Sequence, residues 1–550
     1  MASIEQDQKI DLDSLYKGEL ENKGLDVELY LLEKGRIAQL QGNFEVSRAS
    51  FNEEVEYLKQ RELGDDTLPG ADINVGSVLV NDNLLAYKAR LFEVEMIYLY
   101  QSYNYLALGD LEGAVVEIRL AEFLLNEAEK ARAREDFKEE HYRNTEAEVH
   151  KTIFDNEKAI RKGAMKSQLE INDASHNSDT TPVESTFQDM LVPPNPSDSA
   201  NSKASLEQES TQEADSTAPQ DLSPEESYRN QLEKFSQENF TEMTDLLAKT
   251  RSSVLNPYVV YVGGVIHEMN GESDDAYISY KNALKLMPSN PYLQREVVRL
   301  AIVLDKSYDF DQLKSSYPEV WNQMQSNPPP ESNGRLVVLY EDGWTPQKQE
   351  VFITLGAIAI AYPVYKFNWV EPQPMLVSAQ SGEIGSTYPI CYMGSLALRA
   401  LQEEAKWRII RQATRAAIKG GTFAAGTAMA AAGPNENVKM AGLGIMIASS
   451  IYNNLSENAD LRCWMTLPEN VQILVSSLPE GEHKITFSPQ GTALHLEKNV
   501  PIIKGQTTIV WIIHVGANLD YERLWPRPLD STIQKNNISD DVKADTTDKL

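Results

Sequence analysis

Three histidines near the end of the chain are the side chains that could most readily do metal chemistry. His483, His495 and His514 fall in segments whose alternation of apolar and polar residues predicts β-strands. If those strands pack together, the three imidazoles could converge on a Zn²⁺ ion, which takes nitrogen ligands. No carboxylate or cysteine stands beside them at ligand spacing, so we favour three unrelated strand residues over a metal site.

Common catalytic motifs are absent from the sequence. It contains no G-x-x-x-x-G-K-[ST] phosphate loop, no G-x-S-x-G nucleophile turn and no H-E-x-x-H zinc motif. An acidic surface explains the many carboxylates without paired acid–base roles. We therefore predict a non-enzymatic protein with no catalytic residues, no cofactor and no bound metal.

Composition narrows the class of partner. The chain has 550 residues, which is more than one hydrophobic core accommodates, so two or more domains are expected. Its 51 Lys and Arg against 82 Asp and Glu give a formal charge of −31, which argues against nucleic acid or an anionic membrane surface. No apolar segment reaches the ~18 residues of a transmembrane helix. Cys391 and Cys463 are expected to be buried free thiols.

A pair of helices punctuated by glycine occurs three times and indicates a protein-binding scaffold. The clearest copy is NPYVVYVGGVIHEMNGESDDAYISYKNALKLMP at Asn256–Pro288, and the others lie at Tyr98–Leu125 and Leu31–Phe51. In each, a first helix ends at Gly plus a polar residue and an amphipathic helix follows. This pattern is typical of the tetratricopeptide repeat (TPR), a unit of about 34 residues. The alternative is three ordinary helical hairpins that share their turn chemistry.

Glycines in the third copy have distinct predicted roles. Gly264 falls where the first helix must let its partner approach, and Gly271 falls at the turn, where a positive φ is expected. The equivalents of Gly264, Gly271 and Tyr280 are Gly35, Gly42 and Phe51 in the first copy. In the second copy they are Ser102, Gly109 and Ile118.

The first helices of the three pairs would line the groove of a TPR array. By register, the predicted groove consists of nine side chains: Arg36, Gln39, Met96, Leu99, Tyr103, Tyr258, Tyr261, Val265 and Glu268. Exposed Tyr and Arg are typical of binding hot spots, so we predict a partner-binding groove there. The alternative is that these side chains pack against the acidic helix or the inserted loop.

The predicted fold class is multidomain, with a TPR-like helical array followed by an α+β domain. Residues 1–165 hold the first two pairs and a charged helix, 166–228 form a disordered acidic linker, and 229–326 hold the third pair and its cap. A linker at 327–334 leads to a β-sandwich-like domain at 335–525, with a helical insert at about 393–459, and a loose tail covers 526–550. Short turns predict that its last strands form successive antiparallel hairpins.

Four segments, read together, carry a family resemblance. They are VNDNLLAYKARLFEVEMIYLYQSYNYLALGDLEGAVVEIR, GRLVVLYEDGWTPQKQEV, DLRCWMTLPENVQILVSSLPEGEHKI and TTIVWIIHVG. In order and content they resemble an uncharacterised bacterial family of TPR-containing envelope lipoproteins, for which no activity is established. The resemblance implies export, a lipid anchor at an N-terminal Cys and a gene beside a penicillin-binding-protein-activator-like lipoprotein. The sequence departs from that pattern, because it shows no signal peptide and no lipobox Cys.

These observations lead to one functional expectation with two alternatives. We expect a non-enzymatic TPR scaffold that mediates protein–protein interaction in the bacterial envelope, in the periplasm or at the outer-membrane periphery, with a protein partner such as an envelope lipoprotein. One alternative is an enzyme or metal-binding protein that uses the C-terminal domain. The other is a cytoplasmic TPR adaptor.

Overall fold

A computed structural model describes residues 26–62, 86–132, 244–250, 253–355, 358–365, 369–403 and 459–526. The chain combines helices with β-sheets, so the predicted α+β class is confirmed. Most of the described helices precede the strands along the chain, and the helical residues 393–403 follow strand β6 (Tyr388–Tyr392).

Three helical hairpins form where the glycine-punctuated pairs are predicted. Hairpin 1 consists of α1 (Val27–Leu40) and α2 (Phe44–Glu62), hairpin 2 of α3 (Leu91–Ala107) and α4 (Leu111–Arg132), and, after the short α5 (Thr244–Leu247), hairpin 3 of α6 (Pro257–Met269) and α7 (Ser273–Leu286). Their turns contain Gly42, Gly109 and Gly271 at φ values of 71°, 84° and 80°. The φ of Gly271 confirms the predicted positive value. A residue with a side chain would be strained in this conformation.

Further helices follow hairpin 3. They are α8 (Pro291–Val303), a 3₁₀ turn (Ser307–Asp309), α9 (Phe310–Ser316) and α10 (Pro318–Ser326). Both α6 and α8 begin with Asn-Pro-Tyr, and the side chains of Asn256 and Asn290 cap them by accepting the backbone N–H of Tyr258 and Tyr292, each at 3.0 Å. Proline follows each cap at the position where a helix needs no N–H donor.

Strand β1 (Asn333–Asp342) lies at the centre of a five-stranded sheet of order β11-β10-β1-β7-β6. Its neighbours are β10 (Thr507–Val515), which is parallel to it, and β7 (Asn470–Pro479), which is antiparallel. The outer strands are β6 (Tyr388–Tyr392) and β11 (Asn518–Trp525). Most residues of β1 and all but one of β10 are buried, as expected for strands covered on both faces.

A second sheet has four strands in the order β5-β4-β8-β9. These are β4 (Met375–Ala379), β5 (Gly382–Ser386), β8 (Gly481–Pro489) and β9 (Leu496–Ile502), while β2 (Lys348–Leu355) and β3 (Ile358–Tyr365) form a separate ribbon. Strand β9 contacts β1, β10 and β11, and β5 contacts β7, so the two sheets pack on each other.

The prediction of successive hairpins among the last strands is wrong at two of its connections. Strands β8 and β9 do pair as a hairpin, but β7 and β8 belong to different sheets, and so do β9 and β10. Short turns are compatible with a chain that reverses from one sheet to the other, and the apolar runs of β1 and β10 instead bring those two strands together in the middle of the larger sheet.

The helices and sheets share one core. Helix α3 contacts β11, α6 contacts β6 and α8 contacts β7. Buried apolar side chains from both halves form a single continuous cluster. The predicted linker at 327–334 does fall where α10 gives way to β1, but the hydrophobic core is continuous across that point.

Several predicted segments lie outside the described residues. They are the acidic linker at 166–228, the charged helix beyond Arg132, the tail from 527 and the helical insert apart from 393–403, which is helical. Among the helices that the structure describes, none is long and apolar enough to cross a membrane.

Candidate functional site

The predicted groove is the place where the helices meet the five-stranded sheet. Every predicted groove residue except Glu268 has a solvent exposure of 2% or less. Among them, Arg36, Tyr103 and Tyr258 contact side chains of the protein's own C-terminal strands, as detailed below. A partner cannot reach them in this conformation, so we reinterpret the groove as an internal interface.

Arg36 is the centre of this interface. Its guanidinium forms an ion pair with Glu341 of β1, and both side chains are 1% exposed. The guanidinium also donates through Nη1 to Gln39 Oε1 at 3.0 Å and through Nε to the carbonyl oxygen of Thr466 at 3.3 Å. These bonds connect α1 with the central strand and with the segment that precedes β7.

Two aromatic rings enclose the same guanidinium. Its Cζ lies 4.2 Å from the ring centroid of Tyr100 on α3 and 4.9 Å from that of Trp511 on β10. Such contacts are favourable for a cation that has lost its hydration. Arg36 is therefore held by hydrogen bonds at its edge and by rings across its plane.

A chain of hydroxyl groups completes the coordination of Glu341. Tyr103 of α3 donates to the Tyr258 hydroxyl at 2.6 Å, and Tyr258 of α6 donates to Glu341 Oε1 at 3.1 Å. Burial raises the pKa of Glu341, and the charge of Arg36 offsets part of that rise. With its partners in place this carboxylate has a structural role, because a catalytic group must be able to reach a substrate.

Glu268, the remaining groove residue, belongs to a second charged cluster. Its carboxylate accepts hydrogen bonds from Arg299 of α8 at 2.8 Å, Arg335 of β1 at 2.8 Å and Tyr280 of α7 at 3.0 Å. Arg335 also pairs with Glu296 at 2.8 Å. Burial alone would raise the pKa of Glu268, but the guanidinium groups of Arg335 and Arg299 lower it. This cluster connects hairpin 3 and α8 to the sheet.

Glu33 of α1 fixes the segment that leads into β7. Its carboxylate accepts from the backbone N–H of Met465 and from the hydroxyl of Thr466, each at 2.7 Å. Burial raises the pKa of Glu33 to about 7, although those hydrogen bonds act in the opposite direction. The helices therefore hold the C-terminal half through side chains that bind its backbone.

Two surface clefts have the size of a small-ligand site. One, of about 490 Å³, is lined by Leu29, Glu350, Ala459, Leu461, Arg462, Cys463 and Met465. The other, of about 310 Å³, is lined by Asn52, Val55, Glu56, Lys59, Tyr98, Tyr105 and Glu117. Burial raises the pKa of the Cys463 thiol, which disfavours the reactive thiolate.

The three C-terminal histidines do not come together. His483 of β8 hydrogen-bonds the Pro479 carbonyl oxygen at 2.7 Å, and His514 of β10 pairs with Asp342 at 2.7 Å in the other sheet. In the part of the chain that the structure describes, one group has metal-ligand geometry, and it consists of His267, Glu272 and Asp275.

Sequence reasoning missed the residues that fill the groove. Glu341 interrupts the otherwise apolar run LVVLYED of β1, and a carboxylate within a buried strand is a signal that it has a buried partner. Sequence reasoning also missed His267 as a candidate ligand. The spacing H-x₄-E-x₂-D, which joins it to Glu272 and Asp275 across the turn, was the overlooked signal.

Comparisons with known proteins identified no relative of the chain. No protein-family model, no curated protein and no solved structure matches the chain. The geometry of the chain itself is therefore the basis for assigning a function.

Proposed function

We propose that the protein is a non-enzymatic scaffold of TPR-like repeats that mediates protein–protein interaction in the bacterial envelope. The observation that carries this proposal is a close contact that recurs in hairpins 1 and 3. A Cβ atom on Gly35 would lie 2.6 Å from the ring of Phe51, and one on Gly264 would lie 2.6 Å from the ring of Tyr280. Only glycine permits these helix–helix approaches.

The contact recurs at the same place in both hairpins. Gly35 precedes the turn residue Gly42 by seven positions, and Phe51 follows that turn by nine, and the corresponding residues of hairpin 3 have the same spacing around Gly271. Asn256 and Asn290 cap the first residues of α6 and α8, and they are 34 positions apart, which is the TPR period. Shared turn chemistry alone would not reproduce an inter-helix contact and a period together.

Such arrays usually bind partners on their inner face. Here the inner face holds the protein's own sheet, so we propose that the outer surface binds the partner. The formal charge of −31 favours a partner with a basic surface. We further propose that the two packed sheets form a β-sandwich-like domain, on the strength of the contacts of β9 and β5 with the larger sheet.

The proposal is tested by partner capture followed by reconstitution. The full chain, tagged and cross-linked in cells, is recovered from the envelope fraction, and captured proteins are identified by mass spectrometry. The purified partner should then bind the purified chain in a saturable manner, with an affinity that falls as salt rises from about 50 to 300 mM, because exposed charges are screened. Failure of every captured protein to bind after purification would contradict the scaffold role.

Cell fractionation separates the envelope proposal from the cytoplasmic adaptor. Expressed from its native gene, the protein should sediment with the membranes or appear in the periplasmic fraction. Its exclusive recovery with cytoplasmic markers would favour the adaptor and would leave the scaffold role intact.

A further inference from the structure

We propose that His267, Glu272 and Asp275 bind a divalent transition-metal ion at the junction of hairpins 2 and 3, with Zn²⁺ as the best-fitting ion. One nitrogen or oxygen atom from each residue lies within 4.8 Å of the others. An imidazole with two carboxylates suits Zn²⁺, whereas Mg²⁺ and Ca²⁺ prefer oxygen ligands alone.

The turn of hairpin 3 brings the three ligands together. His267 lies in the last turn of α6, Glu272 is the N-cap residue of α7, and Asp275 lies in the first turn of α7. Gly271 between them adopts a φ of 80°, which makes the reversal tight. The ligands therefore sit on a helix–turn–helix corner rather than on a long loop.

His267 is already oriented as a metal-binding histidine. It is 2% exposed, and its Nε2 lies 3.1 Å from a carboxylate oxygen of Glu122 on α4. Glu122 is held in turn by the Ser279 hydroxyl at 2.8 Å. With Glu122 accepting from Nε2, a metal ion would bind at Nδ1, which lies 2.7 Å from Glu272 Oε2. A carboxylate behind the second ring nitrogen is the usual arrangement for zinc-bound histidines.

The two carboxylates can both turn a lone pair toward an ion at Nδ1. Glu272 uses Oε1 to bind Arg119 at 2.6 Å and Asn270 at 2.7 Å, while its Oε2 lies 2.7 Å from Nδ1 of His267. Ligand atoms of a tetrahedral zinc site lie roughly 3.3 Å apart, so a widening of about half an ångström admits the ion. Asp275 is exposed and accepts no hydrogen bond from the described part of the chain. With His267, Glu272 and Asp275 as three ligands, the fourth position of a tetrahedral ion would be open to water.

A proton is the competitor for this position. The carboxylates of Glu122 and Glu272 also suit a protonated His267, and a metal ion would have to displace that proton on binding. The two cases differ in what they require of Asp275. A metal ion needs its carboxylate as a ligand, whereas an imidazolium between Glu122 and Glu272 is paired without it.

The experiment compares two matched variants of the full chain. Protein stripped with EDTA is titrated with Zn²⁺ by calorimetry in the presence of excess Mg²⁺. The wild type should show one saturable site, Asp275→Asn should weaken it at least tenfold, and Asp274→Asn should leave it unchanged. Asp274 is adjacent, loses the same charge and pairs with Lys306 outside the site, with a side-chain exposure of 72%.

Two further readouts strengthen the comparison. Zn²⁺ should raise the Tm of the wild type and of Asp274→Asn but not that of Asp275→Asn, because a ligand that binds only the folded state stabilises it. Glu122→Gln should lower the affinity about 10- to 100-fold, as loss of an orienting carboxylate does elsewhere. If Glu122→Gln fails to fold, the exposed Asp275→Asn variant decides. Absence of a saturable Zn²⁺ site in the wild type, or equal affinity in the Asp274 and Asp275 variants, would overturn the proposal.

Discussion

Arg36 of α1 and Glu341 of β1 form a fully buried ion pair across 305 positions of the chain. Bulk solvent reaches neither charge, so each depends on the other and on the tyrosines and backbone oxygens around them. The pair joins the first helical hairpin to the central strand of the C-terminal sheet. The face that the sequence predicts to be a binding groove is therefore an internal interface in the folded protein.

The first prediction concerns Tyr258 and Tyr261, two members of the predicted groove. Both are 0% exposed, so Tyr258→Ala with Tyr261→Ala should destabilise the fold rather than spare it. Truncating a buried aromatic side chain costs about 3–5 kcal/mol. Urea unfolding followed by circular dichroism measures the loss.

A conservative variant provides the control for that prediction. Tyr258→Phe keeps the ring and removes only the hydroxyl that donates to Glu341, so its cost should be about 1–3 kcal/mol. A double alanine variant as stable as the wild type would mean that this face is not packed against the sheet.

The second prediction separates two kinds of glycine in hairpin 3. Gly271 has a φ of 80°, and no atom lies within 4 Å of the place a Cβ would occupy, so Gly271→Val should cost about 1–3 kcal/mol through backbone strain alone. Gly264→Ala should cost a similar amount because its Cβ would overlap Tyr280.

A second-site change distinguishes the two causes. Replacing the ring with Tyr280→Leu should reduce the penalty of Gly264→Ala and leave that of Gly271→Val unchanged. Denaturant unfolding of the single and double variants measures this. Equal responses to Tyr280→Leu would contradict the assignment of strain to one glycine and overlap to the other.

The third prediction is a pH dependence that originates at Glu54 of α2. Burial, together with the nearby carboxylates of Glu93 and Glu53, raises the pKa of Glu54 from 4.5 to about 8. The folded state therefore keeps a proton that the unfolded state gives up. Its contribution to the free energy of unfolding is fully present below a pH of about 4.5 and is lost as the pH rises to about 8.

Glu54→Gln should remove that dependence while keeping the shape of the side chain. Urea unfolding at pH values of about 5 and 8 should show a smaller fall in stability for this variant than for the wild type. Glu56→Gln, an exposed position on the same helix, is the matched control. An identical fall in all three proteins would show that Glu54 does not hold a proton in the folded state.

Features set by nearby residues were predictable from the sequence. The turn glycines at 42, 109 and 271 follow from local sterics, and so do the helices on either side of them. The parallel pairing of β1 with β10 was not predictable in the same way, because strands about 170 positions apart carry no mutual signal in a single sequence. Strand β11 was also missed, since NLDYERLW lacks a strong alternation of apolar residues.

The occupant of the groove was beyond sequence reasoning for the same reason. Periodicity identifies which face of α1, α3 and α6 is apolar, but it does not say what covers that face. Arg36 reads equally well as an exposed hot spot and as half of a buried ion pair. Which role Arg36 has depends on its contact with Glu341, and only the folded chain brings these two residues together.

The central claim is that the helical hairpins and the C-terminal sheet are held together at Arg36 and Glu341, and a double-mutant cycle tests it most directly. Stability to urea is measured for the wild type, Arg36→Met, Glu341→Gln and the double variant. Each single change should cost about 3–5 kcal/mol because it leaves a buried group without its partner. The double variant should cost less than the sum, with a coupling energy of at least about 1 kcal/mol. Single effects that add to within about 0.3 kcal/mol would contradict the claim.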